Sequence, residues 1–170
     1  VFSKDAVKTP EKLAKKWLTK PKNAFVLDSE SIYKVYFHGP AYQVIEQVWQ
    51  KEQYLISPFA MDLPANHMPE SKMTNFMPRL IEHCFQTAGI HLLGSAGIMG
   101  LPAHVDCFIR FKDWDGKKKV FVVLEQTDNA YAAFVVDSEG NKYIGVEGYQ
   151  TAEFPSVIDP EMLKPIHEVV

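Results

Sequence analysis

Residues 77–88 read MPRLIEHCFQTA, and this stretch is the most informative part of the chain. Pro78 stands in the first turn of a predicted helix, where its missing N–H removes no hydrogen bond. The apolar side chains recur every three or four residues, as one buried face of a helix requires. That face comprises Met77, Leu80, Ile81, Cys84, Phe85 and Ala88. The stretch therefore predicts a long helix, beginning near Asn75, with one side buried.

Short stretches typical of β-strands lie on both sides of this helix. Two of them, rich in aromatic and β-branched residues, precede it and predict a hairpin. Four more follow it, joined by short turns, which connect antiparallel neighbours. The six predicted strands are 42–49, 54–61, 105–111, 120–124, 131–136 and 143–149. Because one helix with a single apolar face needs a sheet around it, we predict an α+β fold in which a curved antiparallel sheet wraps around one long central helix.

The composition is that of an ordinary globular domain. Among the 170 residues 46% are hydrophobic and 23% charged, and the net charge is −3, which argues against a disordered chain and against nucleic acid as the main partner. The two cysteines, Cys84 and Cys107, exclude a disulfide scaffold and are interpreted as packing residues. No set of histidines has the spacing of a metal site, so no metal is predicted. Residues 83–105 lack charge, but their glycines and polar side chains argue against a membrane span.

The chain is predicted to have three parts. Residues 1–30 form an N-terminal helix, beginning at Thr9-Pro10, and a linker. Residues 31–155 form the domain that contains the sheet and the long helix, and residues 156–170 form a C-terminal tail. No Met begins the chain and no signal peptide is visible, so we expect residue 1 to mark a cut from a longer cytoplasmic polypeptide.

Glu82 is the main candidate for a catalytic residue. It is the acidic residue of the predicted helix and lies one position from the buried stripe, with Gln86 one turn later on its own face. An apolar wall penalises the charged form of a carboxyl group, so we expect the pKa of Glu82 to rise toward that of a general acid. Gln86 would then orient the carboxyl group or a substrate oxygen. The alternative is a solvated carboxylate on the flank of a helix.

The turn at His38, Gly39 and Pro40 is a second candidate, since it lies between the aromatic residues Tyr36 and Tyr42. Proline restricts the turn, and glycine allows the backbone to approach a ligand closely. A histidine at such a place transfers protons near neutral pH. The alternative is a turn histidine bonded to nearby backbone.

The segments, in this order, resemble the C-terminal hot-dog of the dehydratase domains of polyketide synthases and polyunsaturated fatty acid synthases, which belong to the 3-hydroxyacyl-carrier-protein dehydratase superfamily. Residues 36–42, YFHGPAY, stand in place of that family's GYxYGPxF motif. Residues 77–86 run parallel to its HPALLDAALQ motif without a gap, and Leu101-Pro102 resembles its leucine–proline motif. The resemblance covers residues 31–155 and implies a hot-dog fold.

The chain departs from that family in three respects. Glu82 stands where polyketide dehydratases have Asp, and His38 replaces the second Tyr of their motif, keeping a donor with a different reach. The catalytic histidine motif HxxxGxxxxP, which lies on the N-terminal hot-dog of the family, does not occur in this sequence.

The resemblance implies a dehydratase that removes water from a 3-hydroxyacyl thioester, with the substrate carried on the phosphopantetheine of acyl carrier protein and no other cofactor. A neutral histidine removes the proton α to the thioester carbonyl, and a carboxylic acid protonates the departing β-hydroxyl. This chain would supply the acid half, with Glu82, Gln86 and His38 as catalytic residues. The implied substrate-binding residues are Tyr36, Gly39, Pro40, Tyr42, Pro78 and Pro102. The base would come from a second hot-dog, either an N-terminal half or another subunit.

Two alternatives to a dehydratase remain open. One is a catalytically silent hot-dog that binds acyl carrier protein or acyl chains, and the missing histidine motif supports it. The other is an acyl-thioesterase, in which Glu82 activates water. Hot-dog sheets usually pair side by side, so we expect the chain to dimerise or to expose an apolar edge.

Overall fold

The structure, a computed structural model, describes residues 18–155 and 157–170. The helix predicted to begin at Thr9-Pro10 lies outside the described residues. The strands in the described part are β1 Leu27–Asp28, β2 Gln47–Lys51, β3 Tyr54–Pro58, β4 Gly100–His104, β5 Cys107–Arg110, β6 Val120–Thr127, β7 Ala130–Asp137 and β8 Lys142–Glu153. The helices that lie wholly within it are α1 Ser29–Val35, α2 Met77–Ala96 and α3 Pro160–His167, with a 3-10 turn at Pro40–Tyr42.

The eight strands form one antiparallel sheet in the order β1-β2-β3-β6-β7-β8-β4, and β5 also pairs with β8. Strand β8 pairs with β7 along one side and with β5 and then β4 along the other. The sheet curls around α2, which contacts β3, β4, β6, β7 and β8. This is the predicted α+β fold with one long central helix.

Helix α2 has favourable residues at both ends, namely Asn75 and Pro78 at its start and Gly97 at its end. The N–H of Met77 donates to the side-chain oxygen of Asn75 at 3.1 Å, and Pro78 follows in the first turn. The helix ends at Gly97, which has φ +68° and donates its N–H to Leu93 O at 2.9 Å. Glycine adopts this left-handed conformation without the steric penalty of a Cβ.

The central strands β6 and β7 are buried on both faces, which explains their continuous apolar sequences. Val122 and Leu124 of β6 belong to the core around α2, where they join Leu80, Cys84 and Ala88. Between them Val123 points to the opposite face, in a second cluster that contains Trp49 and Phe134. Burying each aliphatic side chain of this kind contributes about 1.5–3 kcal/mol to the stability of the fold.

The structure confirms the hairpin, the long helix and the strands after residue 104, and differs from the sequence prediction at three places. Residues 31–37, whose sequence pattern favours neither helix nor strand, mostly belong to α1, which Asp28 caps by accepting the N–H of Ser31. Strand β4, which contains Gly100 and Pro102, was not among the predicted strands, so five strands follow α2 instead of four. Pro102 fits there because an edge strand does not need every N–H.

The third difference is in residues 156–170, which were predicted as a tail. They carry helix α3, which packs against α1 and α2 and buries Leu163, Ile166 and Val169. No helix within the described ranges is long and apolar enough to cross a membrane.

Candidate functional site

A cavity of about 150 Å³ opens between α2, the segment that follows α1, and the edge strand β4. Its walls are mainly apolar, and Phe85 and Tyr149 stack there with ring centroids 4.4 Å apart. Met99 and the Leu101-Pro102 pair complete the apolar part. The polar side chains of His38, Glu82 and Gln86 also line the cavity. The structure thus brings the three predicted catalytic residues together with Tyr36 and Pro102.

The two carboxylate oxygens of Glu82 have different surroundings. Oε1 accepts a hydrogen bond from His38 Nε2 at 2.9 Å and another from Gln86 Nε2 at 3.0 Å. Oε2 accepts none from the described residues. The side chains of His38 and Glu82 are 21% and 26% exposed, so the pair is sheltered but accessible from the cavity. One oxygen is therefore held by the protein, and the other is available to a ligand.

The expectation that burial raises the pKa of Glu82 is wrong in its net direction. Burial does raise it, but the hydrogen bonds from His38 and Gln86, and the attraction of the His38 ring, outweigh burial and leave the pKa below its ordinary value. Donors to a carboxylate stabilise its charged form. The lowered pKa therefore favours the ionised form of Glu82 near neutral pH.

Gln86 uses all of its hydrogen-bonding groups within the protein. Its Nε2 donates to Glu82 Oε1 and, at 2.9 Å, to the backbone oxygen of Tyr42. Its Oε1 accepts a hydrogen bond from the Tyr33 hydroxyl at 2.8 Å. Of the two predicted roles for Gln86, orienting the carboxyl group therefore fits the structure, and binding a substrate oxygen does not.

His38 is a partner of Glu82 and is not a turn histidine bonded to nearby backbone. Its Nε2 carries the proton that Glu82 accepts, and its Nδ1 is buried without a hydrogen-bond partner. The ring stacks on Phe37, with centroids 5.0 Å apart and planes 12° apart, and meets Tyr36 edge-on. Neither ring nitrogen is free to take a proton from a ligand in this arrangement.

The close approach expected at Gly39 occurs instead at Gly89 of α2. A Cβ at position 89 would overlap the hydroxyl of Tyr36, which donates to the backbone oxygen of Gln86 at 2.8 Å. Gly39 has φ −67°, and a Cβ there would meet nothing within 4 Å. Glycine is therefore required at position 89 and not at position 39.

Four of the predicted substrate-binding residues do not line the cavity. Gly39 and Pro40 begin the 3-10 turn, and Pro78 is exposed in the first turn of α2. Tyr42 contributes its backbone oxygen to Gln86, while its hydroxyl accepts from Asn66 at 3.1 Å. These residues shape the elements that carry the site.

The sequence analysis missed Tyr33, Gly89 and Tyr149. The signal for the first was available, because Tyr33 and Tyr36 are three residues apart and face the same way once α1 is helical. The centroids of their rings lie 6.3 Å apart, and both hydroxyls bond to Gln86.

No set of three metal-ligating side chains occurs among the residues that the structure describes.

A family model described as the polyketide synthase dehydratase N-terminal domain matches residues 28–161 of the chain. The chain belongs to the polyketide synthase dehydratase family. The resemblance seen in the sequence is thus confirmed for the family. The matched description names the N-terminal domain, whereas the motif around Glu82 resembles the C-terminal hot-dog, so the assignment to one half stays a prediction.

Solved dehydratase structures share the hot-dog fold of this chain. The dehydratase domain from the CurF module of the curacin polyketide synthase has a TM-score of 0.62 and 20% identity, and the match covers 82% of this chain and 51% of that one. An inactive CurK dehydratase mutant with an aspartate-to-asparagine change has a TM-score of 0.60 and 20% identity, with 77% and 49% covered. An inactive CurK mutant with a histidine-to-phenylalanine change has a TM-score of 0.61 and 19% identity, with 77% and 48% covered.

The chain spans about half the length of these solved structures. A comparison with curated protein sequences finds no significant match.

Proposed function

We propose that this hot-dog belongs to a dehydratase acting on 3-hydroxyacyl thioesters, and that Glu82 is the carboxyl group that protonates the leaving hydroxyl. The observation that carries the proposal is the asymmetry of Glu82, whose Oε1 is held by His38 and Gln86 while Oε2 is unengaged at an apolar cavity. Membership of the dehydratase family supports it.

In the proposed reaction a base removes the proton α to the thioester carbonyl, and the carbon–oxygen bond at the β-carbon breaks as the α,β double bond forms. The leaving hydroxyl takes a proton from Glu82 Oε2 and departs as water. The carboxylate that remains is stabilised by the donors from His38 and Gln86. An acyl chain that displaces water from the cavity raises the pKa of Glu82, because desolvation penalises its charged form, and so favours the protonated acid.

The base is proposed to come from a second hot-dog. Both ring nitrogens of His38 are occupied or buried, and the sequence contains no HxxxGxxxxP motif. The match also covers only 51% of the CurF dehydratase domain. Among the matched structures, the inactive CurK mutants show that an aspartate and a histidine were each replaced in that protein. A histidine on a second half, with Glu82 as the acid, would give a comparable pair of a histidine and a carboxylic acid.

The proposed partners follow from the same geometry. Strands β4 and β5 form an open edge of the sheet beside the cavity, and Leu101 and Phe108 are exposed along it. A second hot-dog that pairs at this edge would bring its histidine toward Glu82. The thioester would enter on the phosphopantetheine arm of acyl carrier protein, with its acyl group against the apolar wall of the cavity.

The test compares the complete parent protein with its Glu82→Gln variant in the hydration of a crotonyl thioester and in the reverse dehydration. Glutamine keeps the shape and loses the proton, so we expect the rate to fall by about 100-fold or more. Glu82→Asp, which restores the family's residue, serves as the matched control and should retain a larger part of the activity. Equal rates for the parent protein and Glu82→Gln would end the assignment.

The lowered pKa of Glu82 favours one alternative, an acyl-thioesterase, because an ionised carboxylate is the form that activates water. The two functions differ in their products. Release of free thiol from the crotonyl thioester, lost in Glu82→Gln and without any hydration of the double bond, would favour the thioesterase. Hydrated product with no thiol release would favour the dehydratase, and the absence of both would favour a silent acyl-binding module.

A further inference from the structure

Tyr33 lies behind the site, on α1, and does not line the cavity. Its hydroxyl accepts the backbone N–H of Ile45 at 2.9 Å and donates to Gln86 Oε1 at 2.8 Å. A backbone N–H is only a donor, so the contact with Ile45 leaves the proton of the hydroxyl available for Gln86. The hydrogen bond between Tyr33 and Gln86 therefore runs from the hydroxyl to the amide oxygen.

This direction in turn determines how the amide of Gln86 is oriented. With its oxygen bonded to Tyr33, its Nε2 points to Tyr42 O and Glu82 Oε1, at 2.9 Å and 3.0 Å. An amide turned over would place its oxygen against the Tyr42 carbonyl and the Glu82 carboxylate, which offer no proton. The hydroxyl of Tyr33 therefore keeps an N–H, and not a carbonyl, against Glu82.

We propose that Tyr33 is a positioning residue that acts through Gln86 to hold a donor on Glu82 Oε1 and so leaves Oε2 for the substrate. The inference rests on the proposed function for its catalytic consequence. The geometric part, the coupling of Tyr33 to Glu82, does not depend on which reaction the site performs.

A shift in the pKa of Glu82 in Tyr33→Phe can be attributed to the lost hydroxyl, because the other titratable groups that interact with Glu82 can be named. Besides His38, which bonds to it, the groups that interact with its charge are the phenols of Tyr33, Tyr36 and Tyr149 and the thiol of Cys84. Burial raises the pKa of each of these phenols and of the thiol, so they are neutral at pH 7. Replacing Tyr33 by Phe removes a hydroxyl and no charge.

The test is a carboxyl titration of Glu82 by ¹³C NMR in the full chain, with and without the Tyr33→Phe change. Without the hydroxyl the amide of Gln86 is held less firmly, and the weaker hydrogen bond from Gln86 to the carboxylate is expected to raise the pKa of Glu82 by about half to one pH unit. In a Gln86→Ala background, Tyr33→Phe should produce no further shift, because the coupling passes through Gln86. Tyr143→Phe is the matched control, since it removes a buried hydroxyl that bonds to Asp137 and should leave the titration of Glu82 unchanged.

The same variants in the complete parent protein are then assayed with the crotonyl thioester. We expect Tyr33→Phe to lower kcat by about tenfold with little change in KM, and to move the alkaline limb of the pH profile upward, because Glu82 acts in its protonated form. An unchanged Glu82 titration in Tyr33→Phe, or a shift that persists without Gln86, overturns the inference. An intact coupling in a protein that neither hydrates nor dehydrates the thioester would overturn the proposed function and the catalytic role of Tyr33, and would leave the positioning of Glu82 standing.

Discussion

The hydroxyl of Tyr36 lies in the space that a Cβ at Gly89 would occupy, and it bonds to the backbone oxygen of Gln86 at 2.8 Å. Glycine in the interior of a helix lowers stability by about 1 kcal/mol relative to alanine. Glycine at position 89 therefore lowers the stability of the helix but allows the Tyr36 hydroxyl to approach it. The hydrogen bond joins α2 to the segment that carries His38.

This contact predicts that Gly89→Ala lowers stability when Tyr36 is present and raises it when Tyr36 is replaced by Phe. Gly89→Ala should lower the free energy of unfolding by about 1–2 kcal/mol, because Tyr36 must move and lose its hydrogen bond. In a Tyr36→Phe background the hydroxyl is gone, so the same change should raise stability by about 0.5–1 kcal/mol. Urea unfolding of the four proteins measures both effects. The same sign in both backgrounds would show that the two residues are not coupled.

His38 is predicted to keep Glu82 ionised. His38→Phe removes a hydrogen bond to Glu82 Oε1 while keeping a ring on Phe37, so the pKa of Glu82 should rise. Carboxyl titration by NMR checks the direction. His104→Phe is the control, because His104 also bonds to a carboxylate, at 2.9 Å to Asp106, but does not line the cavity. A pKa of Glu82 that falls or stays constant in His38→Phe would contradict the pairing.

Buried His83 is predicted to make the fold less stable in acid. Burial lowers its pKa from 6.5 to about 3, so the folded protein resists the proton that the unfolded chain binds. Stability from this residue is complete above pH 6.5 and is lost as the pH falls toward 3, by at most about 1.4 kcal/mol per pH unit. His83→Gln has no such proton to bind. Urea unfolding between pH 7 and pH 4 should therefore show a shallower loss in His83→Gln, and parallel curves would refute the prediction.

The open edge at β4 and β5 is predicted to drive association. Leu101 is 37% exposed and Phe108 51% exposed, and both lie on this edge. Changing both to serine should lower self-association of the chain, measured by sedimentation velocity. Met162→Ser is the control, since Met162 is 42% exposed on α3. Equal association in the edge variant and the control would place the contact elsewhere.

The long helix and most strands could be predicted because the spacing of apolar residues along the chain shows which face of each element is buried. The residues from Met77 onward repeat every three or four positions, and those after residue 104 alternate. Strand β4 escaped prediction because Gly100 and Pro102 are typical of loops, and only its edge position makes them tolerable. Helix α3 was missed as well, and its role depends on packing against a helix far away in the sequence.

Glu82 and Gln86 could be predicted as a pair because four residues separate them on one helix face. The pKa of Glu82 could not, since its direction depends on His38, which is distant in the sequence and reaches Glu82 only through the fold. The same holds for Tyr33, whose effect on Gln86 requires the position of α1. Spacing identified the carboxyl group, and tertiary contacts determine its charge.

The break between β4 and β5 has a consequence for how this molecule avoids fibre formation. At the break, Gly148 of β8 has φ +66°, and a Cβ there would overlap the carboxyl group of Asp106. The outer rim thus offers two short ladders of backbone groups separated by an acidic interruption, instead of one long template. A long flat edge strand can pair with any extended chain, whereas an interrupted edge pairs only with a partner of matching shape. Losing the kink at Gly148 would therefore be expected to promote amyloid-like stacking.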